Sequence, residues 1–384
     1  MRSILLTLLA FGAAGCDNLA TVRCDTTADT ACGEILHDQE VPGVSLGSHQ
    51  RALPDGSLGF VGNIDADERD IALLDAFGAV RWSTPLDGFY PFWSVDFDGD
   101  GAAAGVLYGS RRPSVDPIFD GVRFDASGVE VWRTPIPQPP PTFLSGKVAL
   151  DDQGGIAVAA VFGEAGSLQG MTLFTRLDED GAVMWQTTYD FSLEWFRAVP
   201  DGGYQVLANC DDFDPCLVRL AEDGAEIARR ALDYRIYDPV PTNDGGLVGS
   251  LDSFGLVRIS ADGGVVWTRE FVKGEDTIDG PTYGHVGSVA LGPAGSVWAS
   301  FRFTDGADLG GGPLVGGLAI ARFDADGEHV WSRGIEYDCG GGSTVAVTPS
   351  GEASFYCGSW FDVEATDAEP AGRRFSWHLL RFSP

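Results

Sequence analysis

The residues best suited by type and spacing to do chemistry are the aspartates of Asp96-Phe97-Asp98-Gly99-Asp100-Gly101. Carboxylates at alternate positions can converge on one hard cation when the backbone curls, and Gly101 permits the sharp turn. The pattern implies calcium, held by Asp96, Asp98 and Asp100. The competing reading is an acidic hairpin turn. The twelfth position, where a bidentate Glu would complete the shell, is Leu107. Asp178/Asp180 and Asp324/Asp326 are shorter versions of the same pattern. The seven cysteines are a second chemistry. Cys16 stands apart, and the other six form close pairs: Cys24/Cys32, Cys210/Cys216 and Cys339/Cys357. An even remainder in an exported chain argues for disulfides. No pair has the two-residue gap of a zinc knuckle, and no His sits beside one.

Other chemistry is not visible. The chain has no Gly-x-Ser-x-Gly, His-Glu-x-x-His or phosphate-loop pattern, and Gly146-Lys147 lacks the following Ser or Thr. The five histidines (His37, His49, His285, His329, His378) are dispersed. Carboxylates are numerous, and no glycosidase-like pair stands out among them. The net charge of −31 repels nucleic acid and anionic headgroups, so neither is an expected partner.

The N-terminus is expected to be a targeting segment. Arg2 is the positive region, and Ile4 to Ala14 is an apolar run too short to span a bilayer as a stable helix. It ends in Ala13-Ala14-Gly15-Cys16, which resembles a bacterial lipoprotein lipobox, with Ala13 where Leu is usual. The resemblance implies a signal peptide over 1–15 and lipidation of Cys16. An ordinary secretory signal is the alternative. Residues 16–33 are small, polar and acidic, and read as a tether. Membrane contact is expected through the lipid alone, with the chain exported and anchored at the outer membrane or periplasmic face.

The elements that must position any site are set by a recurring phrase. An acidic-Gly turn is followed by Trp four residues after the Gly: Gly78–Trp82, Gly128–Trp132, Gly181–Trp185, Gly263–Trp267 and Gly327–Trp331. A sixth copy has Ala228 in the Trp place after Gly224. Spacings of roughly 40 to 65 residues mark propellers, solenoids and arrays. A second turn class alternates with the first, around Gly56, Gly101, Gly154, Gly202, Gly245, Gly295 and Gly351, between short apolar runs typical of strands. One unit is therefore four antiparallel strands, and the fold class is an all-β β-propeller over 34–384. The repeated Trp residues are expected to pack between blades.

The turns number seven in one class and six in the other. The last unit stops at Trp377-His378-Leu379-Leu380-Arg381-Phe382, before a fourth strand. Closure by a segment around Glu34 to Ser48 gives seven blades. The short unit near Asp238–Trp267 and the long one near Gly287–Trp331 leave six or eight as alternatives.

The phrases Phe124-Asp125-Ala126-Ser127-Gly128-Val129-Glu130-Val131-Trp132 and Phe323-Asp324-Ala325-Asp326-Gly327-Glu328-His329-Val330-Trp331 resemble the repeats of quinoprotein-like (PQQ-like) propellers and of bacterial surface lipoproteins. The quinoprotein enzymes carry cofactor and calcium ligands between blades, and those positions find no match here. A second resemblance is to the propeller lipoprotein of the outer-membrane barrel-assembly machine, which usually has eight blades. Integrin-type propellers place calcium in such hairpins, but blade after blade. The resulting expectation is a non-catalytic, monomeric, membrane-anchored propeller that binds a protein or glycan partner. Tyr90, Phe92, Trp93, Trp195, Phe196 and Trp360 are candidate surface anchors. The alternatives are an enzyme that uses the axial channel and an envelope-assembly scaffold.

Overall fold

Among the described residues, thirteen five-residue turns organise the chain. In each, the first N–H donates to the fifth carbonyl, and the fourth residue is a Gly at φ +77 to +91. Only Gly enters that left-handed region without strain, which is why the acidic-Gly phrase recurs. Where the first residue is Asp its carboxylate caps the turn: Asp125 Oδ1 accepts from the N–H groups of Ser127 at 2.8 Å and Val129 at 3.0 Å. The computed structural model describes residues 35–41, 44–53, 55–64, 69–86, 92–109, 118–137, 143–151, 153–163, 170–199, 202–210, 214–274, 284–315, 317–335, 343–363 and 372–384.

These turns join strands into seven four-stranded antiparallel sheets, the blades of a propeller. Blade 1 is Val44–Ala52, Leu58–Ile64, Arg69–Leu74 and Val80–Pro85. Blade 2 is Phe92–Phe97, Ala103–Gly109, Ile118–Phe124 and Glu130–Pro135. Blade 3 is Phe143–Leu150, Ile156–Gly163, Gly170–Leu177 and Val183–Tyr189. Blade 4 is Ser192–Ala198, Tyr204–Asn209, Pro215–Leu220 and Glu226–Ala231. Blade 5 is Tyr237–Pro241, Leu247–Leu251, Gly255–Ile259 and Val265–Glu270. Blade 6 is Gly284–Leu291, Val297–Phe303, Leu318–Phe323 and His329–Ile335. Blade 7 takes Ser343–Val347, Ala353–Val363 and Gly372–Phe382 from the C-terminus. Its fourth strand is Ile35–Val41 from the N-terminus, paired antiparallel with Gly372–Phe382. Both the blade count and the closing strand match the sequence expectation.

The core is divided like the blades. Seven apolar clusters each occupy one seam; Phe174, Phe196 and Tyr204, for example, meet between blades 3 and 4. Ala307, Leu309 and Leu314 enter the cluster between blades 5 and 6, where the first three strands of blade 5 are only five residues long. They come from 304–317, the connection between the second and third strands of blade 6. The longest connection between two named strands thus packs against the blade with the shortest strands.

Candidate functional site

The alternation of turns makes the two ends of the propeller different. One end holds the thirteen five-residue turns, and we call it the turn face. The other holds the remaining connections, which run from two residues at Asp190-Phe191 to fourteen at 304–317. This is the loop face.

On the turn face the repeated Trp residues clamp neighbouring blades. Trp132 Nε1 donates to the Glu179 carbonyl at 2.7 Å, and Thr134 Oγ1 donates to the Gly181 carbonyl at 2.8 Å. Trp185 Nε1 reaches the Glu222 carbonyl at 2.8 Å and Trp267 Nε1 the Ala325 carbonyl at 3.1 Å. In each case the acceptor belongs to the turn of the next blade. Trp82 lies against the corresponding turn at Gly128, and Trp331 is buried between blades 6 and 7 beside Trp298 and Phe382. Where blade 4 has Ala228, Arg230 takes over by donating to the Asp262 carbonyl at 2.8 Å. All five repeated Trp residues thus pack where neighbouring blades meet.

A second repeated clamp is visible only in three dimensions. The third strands of blades 2 to 7 carry Arg123, Arg176, Arg219, Arg258, Arg322 and Arg381 at one register position, paired with the Trp place of the fourth strand. Arg176 Nη2 meets Asp151 of its own blade at 3.0 Å, and its Nη1 meets Glu222 of the next at 2.9 Å. Arg258 bonds Asp244 and the Ala325 carbonyl in the same way, at 2.8 and 2.9 Å. Arg381 pairs with Glu352 and covers the Phe77 ring of blade 1 at 4.5 Å, across the closure of the ring. The signal in the sequence is an Arg two residues before the turn between the third and fourth strands in blades 2 to 6.

The predicted calcium ligands are on this face and do not converge. Asp96 belongs to the inner strand of blade 2; its Oδ2 accepts from the Leu150 N–H at 3.0 Å and its Oδ1 faces Arg51 Nε at 3.4 Å. Asp98 Oδ1 caps its own turn, accepting from the N–H groups of Asp100 at 3.0 Å and Ala102 at 2.9 Å. Asp98 and Asp100 border an open depression of about 440 Å³ that Arg123 shares, and that cation opposes a metal ion. Among the described residues no group of three or more His, Cys, Asp or Glu is placed to hold a metal. The acidic hairpin turn is what these residues build.

Cys210 and Cys216 form a disulfide that closes the hairpin between the second and third strands of blade 4, on the loop face. Cys357 is also disulfide-bonded, to a residue outside the described set. Cys16, Cys24, Cys32 and Cys339 lie outside the described residues. So do Tyr90 and the side chains of Phe92, Trp93 and Trp360. Phe196 is buried in the seam between blades 3 and 4, and Trp195 is partly buried against the next seam; neither is an exposed anchor.

The first strands of the blades pack on one another and so lie innermost, and they carry several charged side chains. Arg51, Asp96 and Arg197 lie near the turn face. Arg197 donates from Nε and Nη2 to Gln205 Oε1, and burial lowers its pKa to about 10, with Arg51 and Arg219 adding repulsion. Toward the loop face lie Lys147 of blade 3, Glu194 of blade 4, Asp238 of blade 5 and His285 of blade 6. Burial holds the Lys147 ammonium below its ordinary pKa, against the pull of Asp238 and Glu194. Burial raises the Asp238 carboxyl, against His285 and Lys147. Asp238 is nonetheless exposed to solvent. Glu194 Oε1 accepts from Asn209 Nδ2 at 2.7 Å and lies 3.5 Å from Arg235 Nε. No sequence motif marks this group, because its members come from four blades.

No protein-family model matches the chain, and no curated protein matches it. Solved structures that resemble it include a protein of unknown function from Bacteroides caccae, with TM-score 0.42 and 13% identity over 71% of this chain and 93% of that one. Another is BamB from Moraxella catarrhalis, with TM-score 0.42 and 12% identity over 92% and 98%. A third is YCF48 bound to D1 peptide, with TM-score 0.47 and 13% identity over 91% and 96%.

Proposed function

We propose that this chain is a non-catalytic propeller, anchored at the cell envelope through Cys16, that binds a protein partner on its loop face. The observation that carries the reading is the difference between the two faces. The turn face is thirteen near-identical turns tied by Trp, Thr and Arg clamps, so its repeated residues serve the ring. The loop face varies from blade to blade in length and composition, and recognition residues concentrate on such loops over a rigid scaffold. The Cys210–Cys216 disulfide suits an exported chain. The net charge of −31 favours a basic contact surface on the partner and an association rate that falls with salt.

The test is site-specific photocrosslinking in the native cell envelope. A photoreactive residue at Tyr234 or Val315, both exposed on the loop face, is expected to yield one discrete adduct. The same probe at Val129, exposed on the turn face, is expected to yield none. Adducts from Val129 alone would overturn the reading. Cys16→Ser is expected to release the chain from the membrane fraction, and retention there would remove the anchor from the proposal.

A further inference from the structure

Blade 4 departs from the repeat at its outer edge. In the seams after blades 2, 3 and 5 an indole of the fourth strand donates to the second carbonyl of the next turn, that of Glu179, Glu222 or Ala325. The same indoles, of Trp132, Trp185 and Trp267, lie over the turn glycines Gly181, Gly224 and Gly327. After blade 4 the corresponding residues are Ala228, Ala261 and Gly263. Ala261 is exposed, and no described group donates to its carbonyl. Gly263 is covered instead by Arg230 and Leu232: a Cβ there would lie 3.0 Å from Arg230 Cδ and 3.4 Å from Leu232 Cδ2.

Beside this cover the seam is open. A notch of about 40 Å³ is lined by Arg230, Leu232, Tyr234, Ile236, Gly263 and Val265. Tyr234 is 39% exposed and Val265 46%, so two large apolar side chains at its rim face water. The bordering strand, Glu226–Ala231, is the last of its sheet, and it is the one fourth strand with every residue exposed. The notch alone is too small for a ring, but its cover is movable. Arg230 Nη1 is held by the carbonyl and the carboxylate of Asp262 at 2.8 and 3.3 Å, with the two side chains 51% and 78% exposed. A solvated pair of this kind costs little to give up. With Arg230 swung out, the notch joins the space over Gly263 that an indole fills at the other seams.

We infer that the seam between blades 4 and 5 is a slot for a tryptophan side chain presented by the protein partner. The molecule's own repeats set the occupant. An indole over Gly263 meets a waiting acceptor in the Ala261 carbonyl, apolar walls in Leu232 and Ile236, and the Arg230 guanidinium to stack on its outer face. An aliphatic side chain would leave that acceptor unused. Tyr234 belongs both to the slot and to the loop face, so the inference names how the partner proposed above is held and rests on that reading.

The first test titrates the purified chain with N-acetyl-tryptophanamide and follows isoleucine methyl groups by NMR. The signals of Ile236 and Ile259, which line the notch, are expected to move saturably. The signal of Ile156, buried between blades 2 and 3, is expected to stay. N-acetyl-leucinamide is expected to bind about tenfold more weakly, for want of the hydrogen bond and the stacked ring. Ala228→Trp supplies the ring from the chain itself. It is expected to keep or raise the melting temperature and to abolish the methyl response. In the cell envelope the same substitution is expected to remove the adduct formed by the photoreactive residue at Tyr234. Unmoved Ile236 and Ile259 signals, equal binding of the leucine probe, a lower melting temperature in Ala228→Trp, or a Tyr234 adduct that survives it would each overturn the slot and leave loop-face docking standing. Moving methyl signals in a chain that gives no adduct from Tyr234 or Val315 would keep the slot and remove the docking reading.

Discussion

Trp82 of blade 1 covers Gly128 in the turn of blade 2 so closely that a Cβ on Gly128 would lie 2.5 Å from the indole. Gly128 also has φ +81. The glycine is thus required twice, by its own turn and by the neighbouring blade. Gly128→Ala is expected to destabilise the fold by about 2–3 kcal/mol, combining left-handed strain with overpacking. Gly99→Ala, where an added Cβ meets nothing within 4 Å, is the control. Urea unfolding of both variants checks the contrast; equal midpoints would contradict the clamp.

The arginine row makes a second prediction. The Arg176 and Asp151 side chains are 6% and 8% exposed, whereas the acid opposite Arg229, Asp190, is 80% exposed. Removing one partner of a buried pair strands the other charge, and a solvated pair matters little. Asp151→Asn is expected to cost about 3 kcal/mol and Asp190→Asn less than about 1 kcal/mol. Asn can still accept the turn hydrogen bonds of Gln153 and Gly155, so the comparison isolates charge. Equal losses in denaturant titrations would mean that burial does not set the weight of the Arg176–Asp151 pair.

These clamps show what a single sequence can and cannot display. The acidic-Gly-Trp phrase is legible because one local geometry, repeated thirteen times, demands the same Gly and favours the same acid. The mismatch of turn counts is legible because a ring must close, and Ile35–Val41 closes it. Asp96 to Asp100 misleads because a capped turn and a calcium loop both want short carboxylates before Gly; Asp98 serves the turn and Asp96 serves the next blade. Lys147 and Asp238 are far apart in the chain and come from the first strands of blades 3 and 5. No local pattern encodes their electrostatic coupling.

His329 gives a prediction in pH. Burial holds its pKa below the ordinary value of 6.5, and Asp308 opposes the shift only in part. Its Nε2 is buried without a hydrogen-bond partner, against Gly310 and Gly311. The folded chain therefore favours the neutral ring. This contribution is complete above the unfolded value near 6.5 and declines as pH falls below it, until the folded ring also protonates. Acidification also relieves the repulsion of a chain at −31, but that acts equally on a variant. The drop in melting temperature between pH 7.5 and roughly pH 5 is expected to be smaller in His329→Gln. An identical drop in both proteins would exclude the ring as its source.

The closing strand yields the most direct test of the ring. Val41 is buried among Leu58, Phe60, Tyr356, Trp377 and Leu379, the cluster that joins blade 7 to blade 1. The turn of blade 1 leans on it as well, since Gly78 faces Val41 and Leu379. A chain beginning after residue 43 would lose this packing and expose the edge of Gly372–Phe382, eleven residues long and rich in aromatic and aliphatic side chains. Such an edge pairs with any strand it meets, including its own copy. The truncated chain is expected to oligomerise on size exclusion with light scattering. A synthetic peptide covering residues 34–42, added in excess, is expected to restore the monomer, and a scrambled peptide is not. A truncated chain that stays monomeric with an unchanged melting temperature would show that the strand is not what closes the propeller.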